Sequence, residues 1–161
     1  MLKWMMGCFL IMISYSFGQQ SSKVIAIVND HIIAERDLQH RLNMALLSSG
    51  MEKTDKNIEQ LKPQILQLMI DEILQQELGD KYAIHIHASD IDRIVQAIES
   101  QNNMEPGGMK KLFKRHHIPF HVMEAHLKAK ETWREYIKAK YSDSISIEPN
   151  EISFHLNNLK K

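Results

Sequence analysis

The sequence has one cysteine, Cys8, and it lies within the first eighteen residues. The rest of the chain carries no thiol. Residues 19–161 can hold no disulfide, no cysteine-based metal site and no cysteine nucleophile. Charge of one sign is also missing, since 20 Lys and Arg are set against 20 Asp and Glu. A chain without positive excess has little with which to neutralise phosphates, which argues against nucleic acid as a partner. Glycine is sparse, at 6 residues. Gly107-Gly108 stands alone, and no Gly-rich phosphate loop surrounds it. No G-x-S-x-G, H-E-x-x-H or Glu-x-x-His pattern occurs. Ser and His are plentiful, but no spacing marks a catalytic triad, and the motifs give an enzyme little support. Internal repeats and low-complexity segments are absent. Only one apolar run stands out, Trp4 to Ile13, and it is shorter than the roughly 20 residues a membrane-spanning helix needs.

What is present begins with that run. Lys3 precedes it, and Ser14-Tyr15-Ser16-Phe17-Gly18 follows. This positive, apolar, small-residue order is that of a secretory signal over residues 1–18, cleaved between Gly18 and Gln19. A membrane anchor is the rival reading, and the run is short for it. Lipidation of Cys8 is a third, but Met5-Met6-Gly7 leaves almost no apolar region before it. The expected product is an exported single domain over residues 19–161, located in the periplasm. At 43% hydrophobic and 25% charged residues the whole 161-residue chain has an ordinary globular composition.

Val24 to Val28 is rich in β-branched residues, Asn29-Asp30 supplies turn chemistry, and His31-Ile32-Ile33 can return as a second strand. Helical periodicity governs the rest. Glu35 to Ser48 places Leu38, Leu42, Ala45 and Leu46 on one face, and Gly50 ends it. A polar loop over residues 51 to 57 leads to a long helix from about Asn57 to Tyr82. Its Ile58, Leu61, Ile65, Leu68, Met69 and Ile73 point inward, and the wide stripe marks it as the central, most buried helix. Pro63 should kink this helix or mark its first turn. Ser89-Asp90-Ile91-Asp92 resembles a capping box opening a helix with Ile91, Ile94, Val95 and Ile98 inward, which Asn102-Asn103 ends. Pro106 opens a short helix with Met109, Leu112 and Phe113. Pro119 opens another, to about Tyr141, with Phe120, Met123, Leu127, Trp133 and Ile137 on one side. Pro149 opens a last turn or two, to Leu159. The expected fold is mostly α, a multi-helix domain with one short N-terminal β-hairpin.

Two constellations stand out. His85-x-His87 and His116-His117-x3-His121-x4-His126 are the only metal-like patterns. Pro119 lies between His117 and His121, so one helix should not carry both, and solvated histidines are the expectation. No metal or other cofactor is implied. The methionines after the leader include Met44, Met109 and Met123 on apolar stripes. Methionine packs cores, and it also lines surfaces that accept many partners, because its side chain is flexible and polarizable.

The hairpin segment VIAIVNDHIIAERDL, the run QILQLMIDEILQQELGDKYAIHI, the segment ASDIDRIVQAIESQNNM and the closing SISIEPNEI share their order and spacing with a known family. Over Val24 to Ile152 the chain resembles the SurA N-terminal domain, from periplasmic chaperones of outer-membrane proteins. The resemblance implies a module that binds unfolded or extended polypeptides in apolar grooves, without turnover and without stable membrane insertion. Met44, Met109, Phe113, Phe120 and Met123 are the groove candidates. Members of that family continue into parvulin-type prolyl isomerase domains, then into a segment that returns to the N-terminal core. Only nine residues follow Ile152 here, so no isomerase residue carries over. Self-association or a partner chain is expected to cover the hairpin. The alternative reading is a fragment or partner chain of a parvulin-type isomerase, and a third is a purely structural or secreted interaction protein.

Overall fold

The computed structural model describes residues 23–142. The expected leader, its Gly18–Gln19 cleavage point and the final helical turn lie outside the described residues. Two strands come first, β1 (Val24–Val28) and β2 (His31–Ala34), paired antiparallel. Their two-residue connection works because Asn29 adopts φ 52°, a left-handed conformation that Asn tolerates better than most residues. The ribbon is two-faced. Ile33 is buried, whereas Ile27 and its cross-strand partner Ile32 are 66% and 61% exposed. Its tip is tied to the helices by Asn29 Nδ2, which donates to Glu77 Oε2 at 2.7 Å.

Five helices follow: α1 (Glu35–Ser49), α2 (Asp55–Lys81), α3 (Ala88–Gln101), α4 (Gly108–Arg115) and α5 (His121–Tyr141). Gly50 ends α1 in the left-handed conformation at φ 66°, and its N–H caps carbonyls of the last turn. Thr54 caps α2, which therefore starts two residues before the sequence reading placed it. Pro63 does not open α2; it lies inside the helix. The carbonyl that loses its donor belongs to Glu59, which is exposed and so can bond water instead. The capping box of α3 is shifted as well. Asp90 accepts from the backbone N–H of His87 at 3.1 Å, so His87 rather than Ser89 occupies the cap.

α2 is central in position but is not the most buried helix. It packs against α1, α5 and β1. Yet only Ile65 and Gly79 along it are buried, and Leu68, expected inward, is 38% exposed. A 27-residue helix outruns its neighbours, since α1 has 15 residues and α5 has 21. Its wide stripe is thus shared among several partial contacts. On α5 the buried residues are Leu127, Ala129, Thr132 and Tyr136, and Trp133 is 41% exposed rather than inward. The contacts Glu72–His126, Gln76–Thr132 and Tyr82–Tyr136 rise together in number, so α2 and α5 run parallel. Among the described residues no helix is long and apolar enough to cross a membrane.

Candidate functional site

Two apolar clusters make the core. Leu38, Leu42 and Ile65 join α1 to α2, with Ile25 of the hairpin and Met69 against them. The second cluster is larger and joins α1, α3, α4 and α5 through Met44, Ile91, Val95, Met109, Phe113 and Leu127. All five groove candidates meet here, but they divide. Met44, Met109 and Phe113 are buried, at 7%, 5% and 4% exposure, so in this structure they are core rather than groove. A short amphipathic helix reads as incompletely packed from sequence. Here α4 is seated by a carboxylate that sequence reasoning did not single out. Buried Glu99 on α3 accepts from the backbone N–H of Gly107 at 3.0 Å and of Met109 at 2.9 Å. It satisfies otherwise orphaned donors at the start of α4. Phe120 and Met123 are partly buried at the edge of the cluster. The Phe120 ring meets Phe113 edge-on at 5.4 Å, and Lys110 Nζ lies 5.1 Å from its centre.

Shallow grooves flank this cluster. One, of about 330 Å³, runs between the end of α1 and the α4–α5 turn, with Leu46, Leu47, Met51 and Ile118 on its walls. Another, of about 360 Å³, lies between α3 and α5 over Ile86, Ile91 and Ala125. A third, of about 490 Å³, has Ile86, Ile94 and Ala97 beside Arg93 and Arg134. Both arginines are already engaged, Arg93 with Asp90 and Arg134 with Glu131 and Glu135. The Arg93 bond and the His87 N–H hold the Asp90 carboxyl below its usual range. An aromatic group sits at the far end of α2 and α5, with Tyr82 and Trp133 exposed around buried Tyr136. Tyr136 stacks on Trp133 at 5.6 Å and meets Tyr82 at 5.1 Å. Trp133 and Tyr136 meet through their i, i+3 spacing on α5, whereas Tyr82 joins them only through the parallel packing of the two helices.

A polar junction is built where α1, α2 and α5 meet. Arg41 Nη2 donates to Glu72 Oε1, and Nη1 faces the Met44 sulfur at 3.7 Å. The His126 Nδ1 lies 2.6 Å from both Arg41 Nη2 and Glu72 Oε1. Burial pulls the Arg41 guanidinium below its ordinary pKa, and Glu72 pulls it back up. The histidine motif does not gather. His116 and His117 form the turn after α4, with His117 at φ 55°, while His121 opens α5 and His126 turns inward to Glu72. Among the described residues no group of three or more His, Cys, Asp or Glu could hold a metal ion.

The hairpin, α1 to α4 and the first half of α5 fall within the match to one sequence family. The SurA N-terminal domain model matches residues 22–132. The chain belongs to the SurA N-terminal domain family. Within it, the chain is 28% identical over 102 residues to the chaperone SurA of Legionella pneumophila (strain Paris), covering 61% of this chain and 23% of that protein. Against the chaperone SurA of Chromobacterium violaceum it is 22% identical over 135 residues, or 83% of this chain and 32% of the relative. The match to the Methylobacillus flagellatus chaperone SurA is 24% over 101 residues, or 61% and 23%. The chain thus spans about a quarter to a third of these relatives. The SurA N-terminal domain match contains the whole second cluster, from Met44 to Leu127, and ends at Thr132.

Proposed function

We propose that the chain is a periplasmic chaperone-like module that binds unfolded or extended polypeptide segments, with outer-membrane proteins as the client class. Membership of the SurA N-terminal domain family carries this reading. The surface supports it. Apolar walls at Leu47, Met51 and Ile118, the half-covered Phe120 and Met123, and the exposed Trp133 and Tyr82 offer several weak, separate contacts. Such a surface favours broad rather than tight recognition. Binding of this kind is passive: client side chains enter shallow grooves, and no bond is made or broken. The deciding experiment adds the purified chain to an unfolded outer-membrane protein and follows light scattering. Slower aggregation at stoichiometric chain is the expected result, and unchanged aggregation refutes the reading.

Export by a cleaved leader belongs to the same proposal, and mass spectrometry of periplasmic protein should find Gln19 at the N-terminus. The exposed Ile27–Ile32 pair motivates cover by a second copy or another chain. Sedimentation equilibrium tests that, and a stable monomer rejects self-association. A fragment or partner chain of a parvulin-type prolyl isomerase is the alternative reading. We propose that the chain is not itself an enzyme. Turnover of a proline tetrapeptide by pure protein would reverse that ranking.

A further inference from the structure

The cations of α4 are set apart from those of the other helices. No Asp or Glu occurs from Pro106 to Met123, and Lys110, Lys111, Lys114 and Arg115 lie within that stretch. All four are exposed, and none makes an ion pair among the described residues. Arg36, Arg41, Arg93 and Arg134 each face a carboxylate, so Arg115 is the one described arginine that does not. The acid at the start of α4, Glu99, is buried and taken up by the backbone N–H groups of Gly107 and Met109. This arrangement does not serve the helix itself. Lys110 with Lys114 and Lys111 with Arg115 are like-charge pairs at i, i+4, which repel. The helix dipole favours cations in the last turn and disfavours Lys110 and Lys111 in the first.

The basic face leads into a groove. His116 follows Arg115 directly and, with Lys53, borders the groove of about 330 Å³ at the end of α1. Leu46, Leu47, Met51 and Ile118 make its apolar walls, and no acidic side chain lines it. The apolar side of α4, Met109 and Phe113, is buried in the larger cluster, so this helix has no apolar face to lay into a lipid surface. A slot with cations along its rim fits an extended chain better than a flat bilayer.

We propose that this groove and the basic face of α4 together bind polypeptide segments in which an apolar side chain is flanked by Asp or Glu. The apolar residue enters against Leu47, Met51 and Ile118, and the flanking carboxylates meet Lys111, Lys114 and Arg115. The site is one part of the polypeptide-binding surface proposed above and rests on that reading; it adds a place and a charge preference.

The test uses the full chain and three synthetic peptides with one Leu-Phe-Leu centre, flanked on both sides by Glu, by Gln or by Lys, each carrying an uncharged dye. Fluorescence anisotropy at about 50 mM salt should rank them Glu, Gln, Lys. The Glu peptide should bind roughly fivefold tighter than the Gln peptide, since exposed ion pairs are weak one by one. Salt at about 300 mM should erase most of that difference. In Lys111→Gln/Arg115→Gln the Glu peptide should bind no better than the Gln peptide. The control Lys130→Gln/Lys138→Gln, exposed on α5, should keep the preference. If none of the three peptides binds, the polypeptide-binding reading fails and the site with it. Equal binding of all three, or an acid preference that survives in the α4 variant, overturns this site alone. Cosedimentation with phosphatidylglycerol vesicles without a peptide preference overturns it too and assigns the basic face to anionic lipid. Should the α4 variant fail to fold, the salt series on the unmodified chain decides, and a Glu preference undiminished at about 300 mM overturns the site.

Discussion

Thr132 occupies the space that a side chain on Gly79 would need. A Cβ added at Gly79 would overlap Thr132 Cγ2, so the threonine side chain or one of the helices would have to shift. α2 and α5 approach closely here, and Thr132 is itself 2% exposed. In an open helix Gly→Ala stabilises by about 0.5–1 kcal/mol. Here overpacking should outweigh that gain, and Gly79→Ala should cost roughly 1–3 kcal/mol in urea unfolding. Thr132→Ser in the same background removes Cγ2 but keeps the hydroxyl that accepts from Gln76 Nε2 at 3.2 Å. It should recover most of the loss. A Gly79→Ala protein as stable as the wild type would show that the contact relaxes freely.

Glu99 seats α4 through the N–H groups of Gly107 and Met109. Glu99→Ala leaves those donors without their carboxylate, and bonds to a charged group contribute about 1.5–3 kcal/mol each. The expected outcome is loss of a few kcal/mol, with the first changes in near-ultraviolet dichroism arising where Phe113 meets Phe120. Chemical-denaturation curves check it, and a shift below the measurement error would mean water replaces the carboxylate.

Met109→Ala and Phe113→Ala should behave as core deletions, costing roughly 2–5 kcal/mol. Phe120→Ala and Met123→Ala sit at the cluster's edge and should cost less stability. If the proposed client surface includes that edge, these two variants should weaken suppression of client aggregation more than their stability loss explains. Parallel denaturation and aggregation assays on all four variants separate the cases. Equal stability costs across the four would erase the distinction between core and edge.

His40 gives a pH dependence of fixed sign. Burial first, then Arg36 and His121, hold its pKa below 6.5, with Asp37 opposing. The unfolded chain therefore binds the proton more readily than the folded one. The stability is fully present above about pH 6.5 and is lost as pH falls from there toward the lower folded value. His40→Gln should flatten that part of the profile of denaturation midpoint against pH. A wild-type midpoint that rises on acidification over this window would contradict the assignment.

The hairpin and the helix order were legible in the sequence because local chemistry decides them. β-branched runs flank Asn29-Asp30, Gly50 stops α1, and Ile91, Val95 and Ile98 keep helical spacing. Contact faces were less legible. Leu68 and Trp133 lie on apolar stripes, and neighbours at other heights of α2 and α5 decide their exposure. Arg41 sits between Leu38 and Leu42 and reads locally as an ordinary surface charge. Its burial is set by Glu72 and His126, 31 and 85 residues away. The five groove candidates all meet in one apolar cluster, as their places on helical stripes suggest. Their depth was not legible, because it depends on Glu99 holding α4 in place.

The parallel run of α2 and α5 has a kinetic consequence. Parallel neighbours cannot be joined by a short turn, so α3 and α4 must be traversed before Gln76 meets Thr132, 56 residues on. α1 and α2, by contrast, follow one another directly and pack together through Leu38, Leu42 and Ile65. Loop closure costs more for the distant pairing, so α1–α2 should form first and α5 should dock last. Changes at the late contact then act on one limb of the kinetics. Gly79→Ala should speed unfolding while leaving the folding rate nearly unchanged, whereas Leu42→Ala should slow folding. Stopped-flow chevrons on the two variants read this order, and a folding limb slowed most by Gly79→Ala would reverse it.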